Sequence, residues 1–275
     1  MVDAFTARLR AEERSAGTID KYRRDVKEFA AWLDGRPVDR ALTAGWRDAL
    51  LKEGLSPGTV NGKLTALCAL FRFAGWEECR AHFLKLQRQL FREDVRELTR
   101  EEYERLLKTA NGQGKERLAL LLETICSTGI RVSEVHYITL EAVLRGRAEI
   151  ALKGKRRVIL LPGKLCGKLK KYAKKKKIAS GELFITRNGK GISRKQIWAE
   201  MKALCEAADV APSKVFPHNL RHLFARTYYS LEKDLSRLAD ILGHSAVTTT
   251  RIYTMESGKI HAKQINRLGL VLDTT

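Results

Sequence analysis

The stretch LGHSAVTTTRIYT, residues 242–254, follows a run of predicted helices and decides how the second half of the chain is interpreted. It opens on a Leu-Gly-His sequence, and Tyr253 follows His244 by nine residues. A glycine before a histidine is often only a helix C-cap, and a tyrosine at the end of a short helix is usually a core residue with a solvated hydroxyl. The stretch therefore gains meaning only from the groups that the rest of the chain places beside it.

The overall composition indicates a globular protein with a polyanionic partner. The chain has 275 residues, enough for two domains, and 52 Lys and Arg against 32 Asp and Glu give a net charge of +20. Nucleic acid is the commonest partner of such a basic chain. A membrane surface is the alternative, but we find no lipidation signal, long apolar span or signal peptide, and expect an intracellular, cytoplasmic protein.

The cysteines argue against a disulfide framework or a zinc site. They are odd in number, widely spaced and without a C-x-x-C pair, and most lie in apolar contexts. We expect them to be small buried hydrophobic residues. They are Cys68, Cys79, Cys126, Cys166 and Cys205.

Residues 1–92 read as a bundle of helices. Three stretches with apolar residues at helical spacing begin near Thr18, Thr43 and Ser56, each a side chain that can cap a helix, and Pro57 suits the first helical position. The basic residues of these helices fall outside the apolar stripes. We predict an N-terminal helical domain with a basic exterior.

The rest of the chain mixes elements. Residues 93–98 are poor in apolar side chains and are predicted to be a linker, after which the pair Thr99 and Glu102 forms a capping-box signature. The domain 99–275 is predicted to be mostly helical. It should contain a β-hairpin turning at Lys153-Gly154, a third short strand in GELFITRNGKG, and a short helix capped by Ser133. The fold class expected is mainly α with a small antiparallel sheet.

Four separate stretches of the second domain carry groups suited to an anionic phosphorus centre. They are STGIRVSE with Arg131, the hairpin tip LKGKRR, HNLRH with His218 and Arg221, and the opening stretch. Taken alone, each has an ordinary explanation: Arg131 would pair with Glu134, and a lysine at the tip would be a charged turn residue. His218 and Arg221 are three positions apart and share one face of a helix.

A metal site is the competing interpretation of the histidines, because His218, His222 and His244 could meet. The spacing of the first two suits zinc, but no glutamate follows His218 in the metalloprotease manner. An arginine lies between them and would repel a cation. We therefore expect no metal and no other cofactor.

The inventory of the four stretches has a specific chemical meaning. Two guanidinium groups can grip the non-bridging oxygens of a phosphodiester and stabilise the charge of a pentacoordinate transition state. A tyrosine, with an ordinary pKa of about 10, needs a base to act as a nucleophile. A histidine can be that base, and a lysine can protonate the leaving oxygen.

The order Arg, Lys, His-x-x-Arg, His, Tyr resembles the tyrosine recombinase (phage integrase) family. The motifs that carry the resemblance are STGIRVSE, KGKRRVILLP, HNLRHLFA and LGHSAVTTTRIYT, which span about residues 120–255. The N-terminal stretches TIDKYRRDVKEFAAWL and LSPGTVNGKLTALCALFRFA resemble the core-binding (SAM-like) domain of that family. Four motifs in this order are far more specific than any one of them.

The resemblance implies a role for each matched residue. Arg131 and Arg221 would clamp the scissile phosphate, with Glu134 orienting Arg131. His218 would be the base and later the acid, His244 would hydrogen-bond the phosphate or leaving group, and Tyr253 would attack.

The general acid is implied to be Lys153. The hairpin is one residue shorter than the GKGNKER often found in the family, so Lys155 remains the alternative. Further candidates for DNA contact are Lys63, Arg72, Lys155 and Arg156.

The resemblance also implies partners and an assembly. We expect double-stranded DNA with a specific core site, a C-shaped clamp of two domains, and a homo-tetramer that recombines two duplexes through a Holliday junction. The apolar C-terminal tail would dock on a neighbouring protomer. A prokaryotic Xer-like or small mobile-element recombinase, nucleoid-associated when bound, fits best.

Three alternatives stay open at this point. A type IB topoisomerase shares the chemistry but relaxes supercoils, an accessory protein would bind DNA without catalysis, and a metal-dependent nuclease would lose activity in EDTA.

Overall fold

The computed structural model describes residues 1–86, 97–152, 155–244, 246–254 and 266–268. These residues form helices and one two-stranded antiparallel sheet, which confirms the predicted fold class. Internal contacts divide the chain into two units, residues 1–89 and 90–275. Within the described ranges, no helix combines the length and the apolarity needed to cross a bilayer.

The first unit is built on four helices around an aromatic-rich core. Phe5, Phe29, Trp46 and Phe71 are each at most 3% exposed. The Phe29 ring lies 5.0 Å from that of Trp46 and 6.2 Å from that of Phe71. The elements are α1 (Val2–Ala11), α2 (Ala16–Leu33), α3 (Arg40–Lys52), α4 (Pro57–Ala74) and a 3₁₀-helix (Glu77–Cys79).

One of the three predicted caps of this unit is confirmed and two are wrong. Ser56 caps α4 with Pro57 at its first position, as predicted. Helix α2 is instead capped by Ser15 and α3 by Asp39, so the caps lie three and four residues before the predicted ones. In each case an earlier acceptor side chain takes the orphan N–H of the first turn, which leaves the threonine inside the helix.

The second unit packs its helices around α6. This helix buries Leu121, Leu122 and Ile125 completely and contacts α5, α8, α9 and α10. The capping box of Thr99 and Glu102 is present at the start of α5, as predicted. The elements are α5 (Arg100–Gly112), α6 (Glu116–Thr128), a 3₁₀-helix (Val132–Tyr137), α7 (Leu140–Arg145), β1 (Arg147–Leu152), β2 (Lys155–Leu160), α8 (Gly163–Lys175), α9 (Arg194–Lys202), a 3₁₀-helix (Pro212–Lys214), α10 (Pro217–Glu232), α11 (Leu235–Leu242), α12 (Val247–Thr250) and a 3₁₀-helix (Arg251–Thr254).

The predicted hairpin is confirmed, whereas the third strand is wrong. Strands β1 and β2 pair antiparallel with Leu152 opposite Lys155. Its turn, residues 153–154, lies outside the described residues. The segment 181–191 forms only isolated bridges, because a tight turn in which Thr186 N–H donates to Lys190 O at 2.7 Å folds it back on itself.

The segment between α6 and α7 also differs from the prediction. Ser133 does not cap a helix; it lies inside the 3₁₀-helix Val132–Tyr137, whose start is closed by the Glu134 carboxylate. That carboxylate accepts the Arg131 N–H at 2.8 Å. The acidic side chain wins because it satisfies the first N–H of the turn and binds the Arg131 guanidinium as well.

Two glycines with positive φ bring the ends of α6 and α11 together. Gly129 ends α6 at φ 63°, and a Cβ at this position would lie 2.5 Å from Phe224 Cδ1. Gly243 ends α11, also at φ 63°, and a Cβ there would lie 2.8 Å from Arg157 Nε. Both positions need glycine for conformation and for space. They let the loop that carries Arg131 and the turn that carries His244 approach α10.

Candidate active site

Arg221 lies in helix α10 and is a buried cation at the predicted site. The residue is 2% exposed, and its Nη1 and Nη2 donate to the carbonyls of Gly129 and Leu242, the second at 2.8 Å. Burial lowers the pKa of Arg221 to about 10, although hydrogen bonding with the Tyr253 side chain opposes the shift. Arg221 therefore keeps its charge at neutral pH, and the ends of α6 and α11 fix its orientation.

His244 is held as a neutral imidazole beside Arg221. Its Nε2 lies 2.9 Å from Arg221 Nη2, and its Nδ1 lies 2.8 Å from Thr250 Oγ1. A guanidinium only donates, so Nε2 must accept and Nδ1 carries the proton that Thr250 receives. Burial, followed by the charges of Arg221 and Arg131, lowers the pKa of His244 to about 4.

Tyr253 is buried among three histidine rings and an apolar cluster. Its ring stacks on that of His244 at 5.6 Å, meets His222 edge-on at 4.5 Å, and lies 6.3 Å from that of His218. The residue is 5% exposed and packs with Ala225, Leu238 and Leu242. The apolar contacts fix the ring, while its polar neighbours are the histidines and Arg221.

Arg131 contacts the same turn as Arg221, at the next carbonyl along the chain. Its Nη1 donates to Glu134 at 2.9 Å, and its Nη2 donates to the Gly243 carbonyl at 3.2 Å. Its side chain is 41% exposed, whereas that of Glu134 is 3% exposed. Arg131 therefore makes the ordinary ion pair with Glu134 and also contacts the turn before His244, with the buried carboxylate holding the accessible guanidinium.

Two side chains at this site were missed by sequence reasoning. Thr250, fully buried, is the partner of His244. Arg157 in β2 donates to both oxygens of Glu134, at 3.1 and 3.0 Å, and to the Ile241 carbonyl. Arg157 lies two positions from buried Ile159 and so shares its core-facing side of the strand. A charged residue on an apolar face was the available signal.

The structure does not reach every predicted residue. Lys153, with Gly154, lies outside the described residues, and so do the side chains of Lys155 and Arg156. The tail beyond Thr254 is outside as well, except for residues 266–268. Among the side chains that are described, no group of three His, Cys, Asp or Glu is arranged to hold a metal ion.

The two predicted DNA contacts of the first unit differ in their surroundings. The Lys63 side chain is 13% exposed and its Nζ lies 2.5 Å from Glu28. The Arg72 side chain is 71% exposed, with only a 3.9 Å approach to Glu77. Arg72 is therefore much better placed to meet a partner from solvent.

Two family models match the chain. The phage integrase family model matches residues 96–259, more than half of the chain, and the model of the phage integrase N-terminal SAM-like domain matches residues 2–78. The chain belongs to the phage integrase family. This family membership confirms the resemblance found in the motifs, and the chain is accordingly an enzyme of the tyrosine recombinase type.

Several tyrosine recombinases are about 30% identical to this chain. Tyrosine recombinase XerC of Erythrobacter litoralis is 31% identical over 272 residues, which cover 92% of this chain and 86% of the relative. Tyrosine recombinase XerD of Staphylococcus saprophyticus is 31% identical, with 92% of each chain covered. Tyrosine recombinase XerA of Thermococcus kodakarensis is 30% identical and covers 92% and 90%.

Solved structures of the phage integrase family share the fold at lower identity. The Tn1549 transposon integrase in complex with transposon right end DNA has a TM-score of 0.72 at 18% identity, covering 98% of this chain and 99% of that one. Lambda integrase bound to DNA has a TM-score of 0.70 at 18% identity and covers 89% and 90%. At these identities the likeness concerns the fold alone.

Proposed function

We propose that this tyrosine recombinase cuts and rejoins DNA at a specific site through a covalent 3′-phosphotyrosine bond to Tyr253. One observation carries the proposal: Arg131 and Arg221 bind adjacent carbonyls of the turn before His244, and the Tyr253 ring stacks on His244. Two cations, a neutral histidine and a phenol thus share one small region. That arrangement suits a phosphodiester with an in-line nucleophile.

In the proposed reaction the two arginines bind the non-bridging oxygens of the scissile phosphate. Their guanidinium groups stabilise the added charge of the pentacoordinate transition state, the task that metal ions perform in many nucleases. Carbonyls and Glu134 already fix both groups, so little reorganisation is needed when the phosphate binds. His244, neutral at physiological pH, orients Arg221. Its single N–H is held by Thr250, so it hydrogen-bonds the phosphate or the leaving oxygen only after exchanging that contact for the DNA.

The proposed covalent step conserves the phosphodiester. Tyr253 Oη forms a bond to phosphorus while the bond from phosphorus to the 5′-oxygen breaks. The phenol proton passes to His218, and the departing 5′-oxygen takes a proton from Lys153, with Lys155 as the alternative donor. Religation runs in reverse: a 5′-hydroxyl attacks the phosphotyrosine, so neither ATP nor a metal ion is consumed.

The proposed partner is double-stranded DNA with a specific core site. XerH bound to difH substrate and the Tn1549 integrase bound to DNA support this partner, as does the net charge of +20. Recombination of two duplexes requires four cleavages, so we propose a homo-tetramer and a Holliday junction. In that tetramer the C-terminal tail would dock on a neighbouring protomer.

We also propose domain limits of 1–92 and 99–275. The proposed biological task is that of an Xer-like or mobile-element recombinase in the cytoplasm.

The test is to trap the covalent intermediate. The full chain is incubated with fragmented genomic DNA, and the DNA that stays covalently attached is sequenced to obtain the site. A duplex nicked beside the cleavage point then loses its short 5′-hydroxyl fragment and traps the adduct. Unmodified protein and Tyr229→Phe, a control tyrosine on α10, should form it, whereas Tyr253→Phe should not. Adduct formation by Tyr253→Phe at the unmodified level would overturn the proposal.

The same substrate separates the alternative functions. Adduct formation that persists in EDTA excludes a metal-dependent nuclease. Relaxation of a supercoiled plasmid that lacks the recovered site identifies a topoisomerase instead, and DNA binding without any adduct identifies an accessory protein. Exchange of strands between two duplexes that carry the site supports recombination.

A further inference from the structure

Three consecutive carbonyls at the end of α11 accept hydrogen bonds from three different arginines. Ile241 accepts from Arg157 at 2.8 Å, Leu242 from Arg221 at 2.8 Å, and Gly243 from Arg131 at 3.2 Å. The last carbonyls of a helix carry its negative partial charge, so this end favours cations. Two of these arginines have proposed roles at the phosphate, and the third, Arg157, has none.

Arg157 joins the parts that hold the two proposed clamps. Its Nη1 donates to both Glu134 oxygens, and its Nε and Nη2 donate to the Ile241 carbonyl at 3.2 and 2.8 Å. Its side chain is only 11% exposed. It therefore contacts the carboxylate that binds Arg131 and the helix end that carries His244. Since all three guanidinium nitrogens are engaged in this way, Arg157 is suited to hold other groups in place.

Arg157 also belongs to the hairpin that carries Lys153. It lies in β2 opposite Ile150 of β1, three residue pairs from the turn. The same side chain therefore ties that hairpin to the 3₁₀-helix of Glu134 and to the end of α11. Gly243 leaves the room it needs, because a Cβ there would lie 2.8 Å from Arg157 Nε.

We propose that Arg157 is a positioning residue for the cleavage step, which sets the direction of Arg131 through Glu134 and the place of His244 through the Ile241 carbonyl. The inference rests on the proposed function and adds a residue to it. In its absence Glu134 would bind Arg131 alone, and the hairpin would lose its hydrogen bonds to Glu134 and to the Ile241 carbonyl. A displacement of about 1 Å in such a site costs about 100-fold in rate.

The test compares substitutions at Arg157 with one at Arg147 of the same hairpin. Arg147 is a matched control because its side chain is 56% exposed and pairs only with Glu149 among the contacts described. The full chain is mixed in excess with the nicked duplex that carries the recovered site, and the rate constant and amplitude of adduct formation are measured. We expect a rate about 100-fold lower for Arg157→Gln, about tenfold lower for Arg157→Lys, and unchanged for Arg147→Gln.

The amplitude distinguishes positioning from simple loss of folding. Positioning lowers the rate constant while DNA affinity and amplitude stay near those of the unmodified chain, whereas unfolding lowers the amplitude. If Arg157→Gln does not fold, Arg157→Lys is judged by the same criterion. A rate within about twofold of the unmodified chain in a folded variant overturns the inference. Loss of folding in both variants assigns Arg157 to stability alone and overturns it equally.

A second measurement tests the route through Glu134. If Arg157 acts partly by way of this carboxylate, Arg157→Gln should lower the rate by clearly less than about 100-fold in a Glu134→Gln background, and the remaining loss should report the route through the Ile241 carbonyl. Fully multiplicative effects would refute the coupling. Failure of the proposed function looks different, because then the unmodified chain itself forms no adduct.

Discussion

In each unit, within the part of the chain that the structure describes, a buried carboxylate lies between two cations, and the two arrangements differ in what else those cations contact. In the first unit Asp25 is 3% exposed and lies 2.6 Å from Lys21 Nζ and 3.9 Å from Lys63 Nζ. In the second unit Glu134 is 3% exposed and binds Arg131 and Arg157.

The difference lies in the geometry of the cationic groups. Lys21 also donates to the Gly62 carbonyl at 2.9 Å, so this ammonium joins α2 to α4 and its role is structural. A planar guanidinium has five donors, and Arg131 can bind a carboxylate and a carbonyl while still presenting N–H groups to a ligand. A buried carboxylate with two cations thus joins two helices in the first unit, whereas in the second unit it holds an arginine whose guanidinium stays accessible.

The largest effect is expected when the shape of a cation is changed at the site. Arg221→Lys keeps the charge but cannot reach the Gly129 and Leu242 carbonyls, His244 and a phosphate together. We expect the rate of adduct formation on the nicked duplex to fall by about 10³-fold, as for loss of a transition-state donor. Lys21→Arg, the opposite exchange in the first unit, should leave this rate within about twofold. Equal rates for the two variants would erase the comparison.

The second test measures the free energy of unfolding after substitution of Gly129 and Gly62, whose carbonyls accept hydrogen bonds from Arg221 and Lys21. Gly129 has φ 63°, which disfavours any residue with a Cβ, and an added Cβ would also clash with the Phe224 ring. Gly129→Ala should therefore lower the free energy of unfolding by about 2–4 kcal/mol. At Gly62, inside α4, the nearest atom to such a Cβ is Lys21 Nζ at 3.7 Å. Gly62→Ala should therefore raise it by about 0.5–1 kcal/mol.

Chemical denaturation followed by circular dichroism measures both changes. Destabilisation by Gly62→Ala would show that the ammonium contact cannot tolerate the methyl group. A neutral Gly129→Ala would show that Phe224 moves aside, and that the approach of α6 to α10 is not fixed by glycine.

The sequence predicted features that depend on neighbouring residues, such as helix starts and the hairpin. It did not predict hydrogen bonds between residues that are far apart in the chain. The cap Ser56 located the start of α4, the capping box of Thr99 and Glu102 located the start of α5, and the Lys153-Gly154 turn located the hairpin. The order of the motifs led to the prediction that Arg131, His218, Arg221, His244 and Tyr253 belong to one site. The attachment of three arginines to carbonyls 241–243 was not predictable, because a carbonyl leaves no trace in a sequence pattern.

The errors have equally physical causes. Thr18 and Thr43 were plausible caps, but Ser15 and Asp39 stand earlier and take the first N–H groups. Arg157 follows two basic residues and reads as part of a charged turn, although β alternation places it on the buried side of its strand with Ile159. Only the position of Glu134 in space explains why a cation is stable there.

The third expected effect concerns pH and His244. Its pKa falls from 6.5 to about 4 in the folded chain, because burial, followed by the charge of Arg221, disfavours the protonated ring. The unfolded chain therefore binds more protons between these values, so the stabilising contribution is complete above pH 6.5 and is lost as the pH falls toward 4. With solvent screening, we expect a change of about 1 kcal/mol.

Denaturation of the unmodified chain and of His244→Gln across pH 4–7 measures this contribution. The difference between their free energies of unfolding should shrink as the pH falls. A difference that stays constant would mean that His244 titrates normally and that its Nε2 is not committed to Arg221.

The smallest expected effect concerns DNA binding by two residues of the first unit, the ion-paired Lys63 and the exposed Arg72. If Arg72 contacts a DNA phosphate, Arg72→Gln should weaken binding about fivefold near 0.1 M salt. It should also reduce the slope of log K against log salt by about 1.

Lys63→Gln should leave that slope nearly unchanged, because its ammonium is already committed to Glu28 and Asp25. Instead it should lower the free energy of unfolding, since buried Asp25 loses a partner. Fluorescence anisotropy at several salt concentrations measures the slopes, and equal losses for both variants would mean that Lys63 leaves its carboxylates to bind DNA.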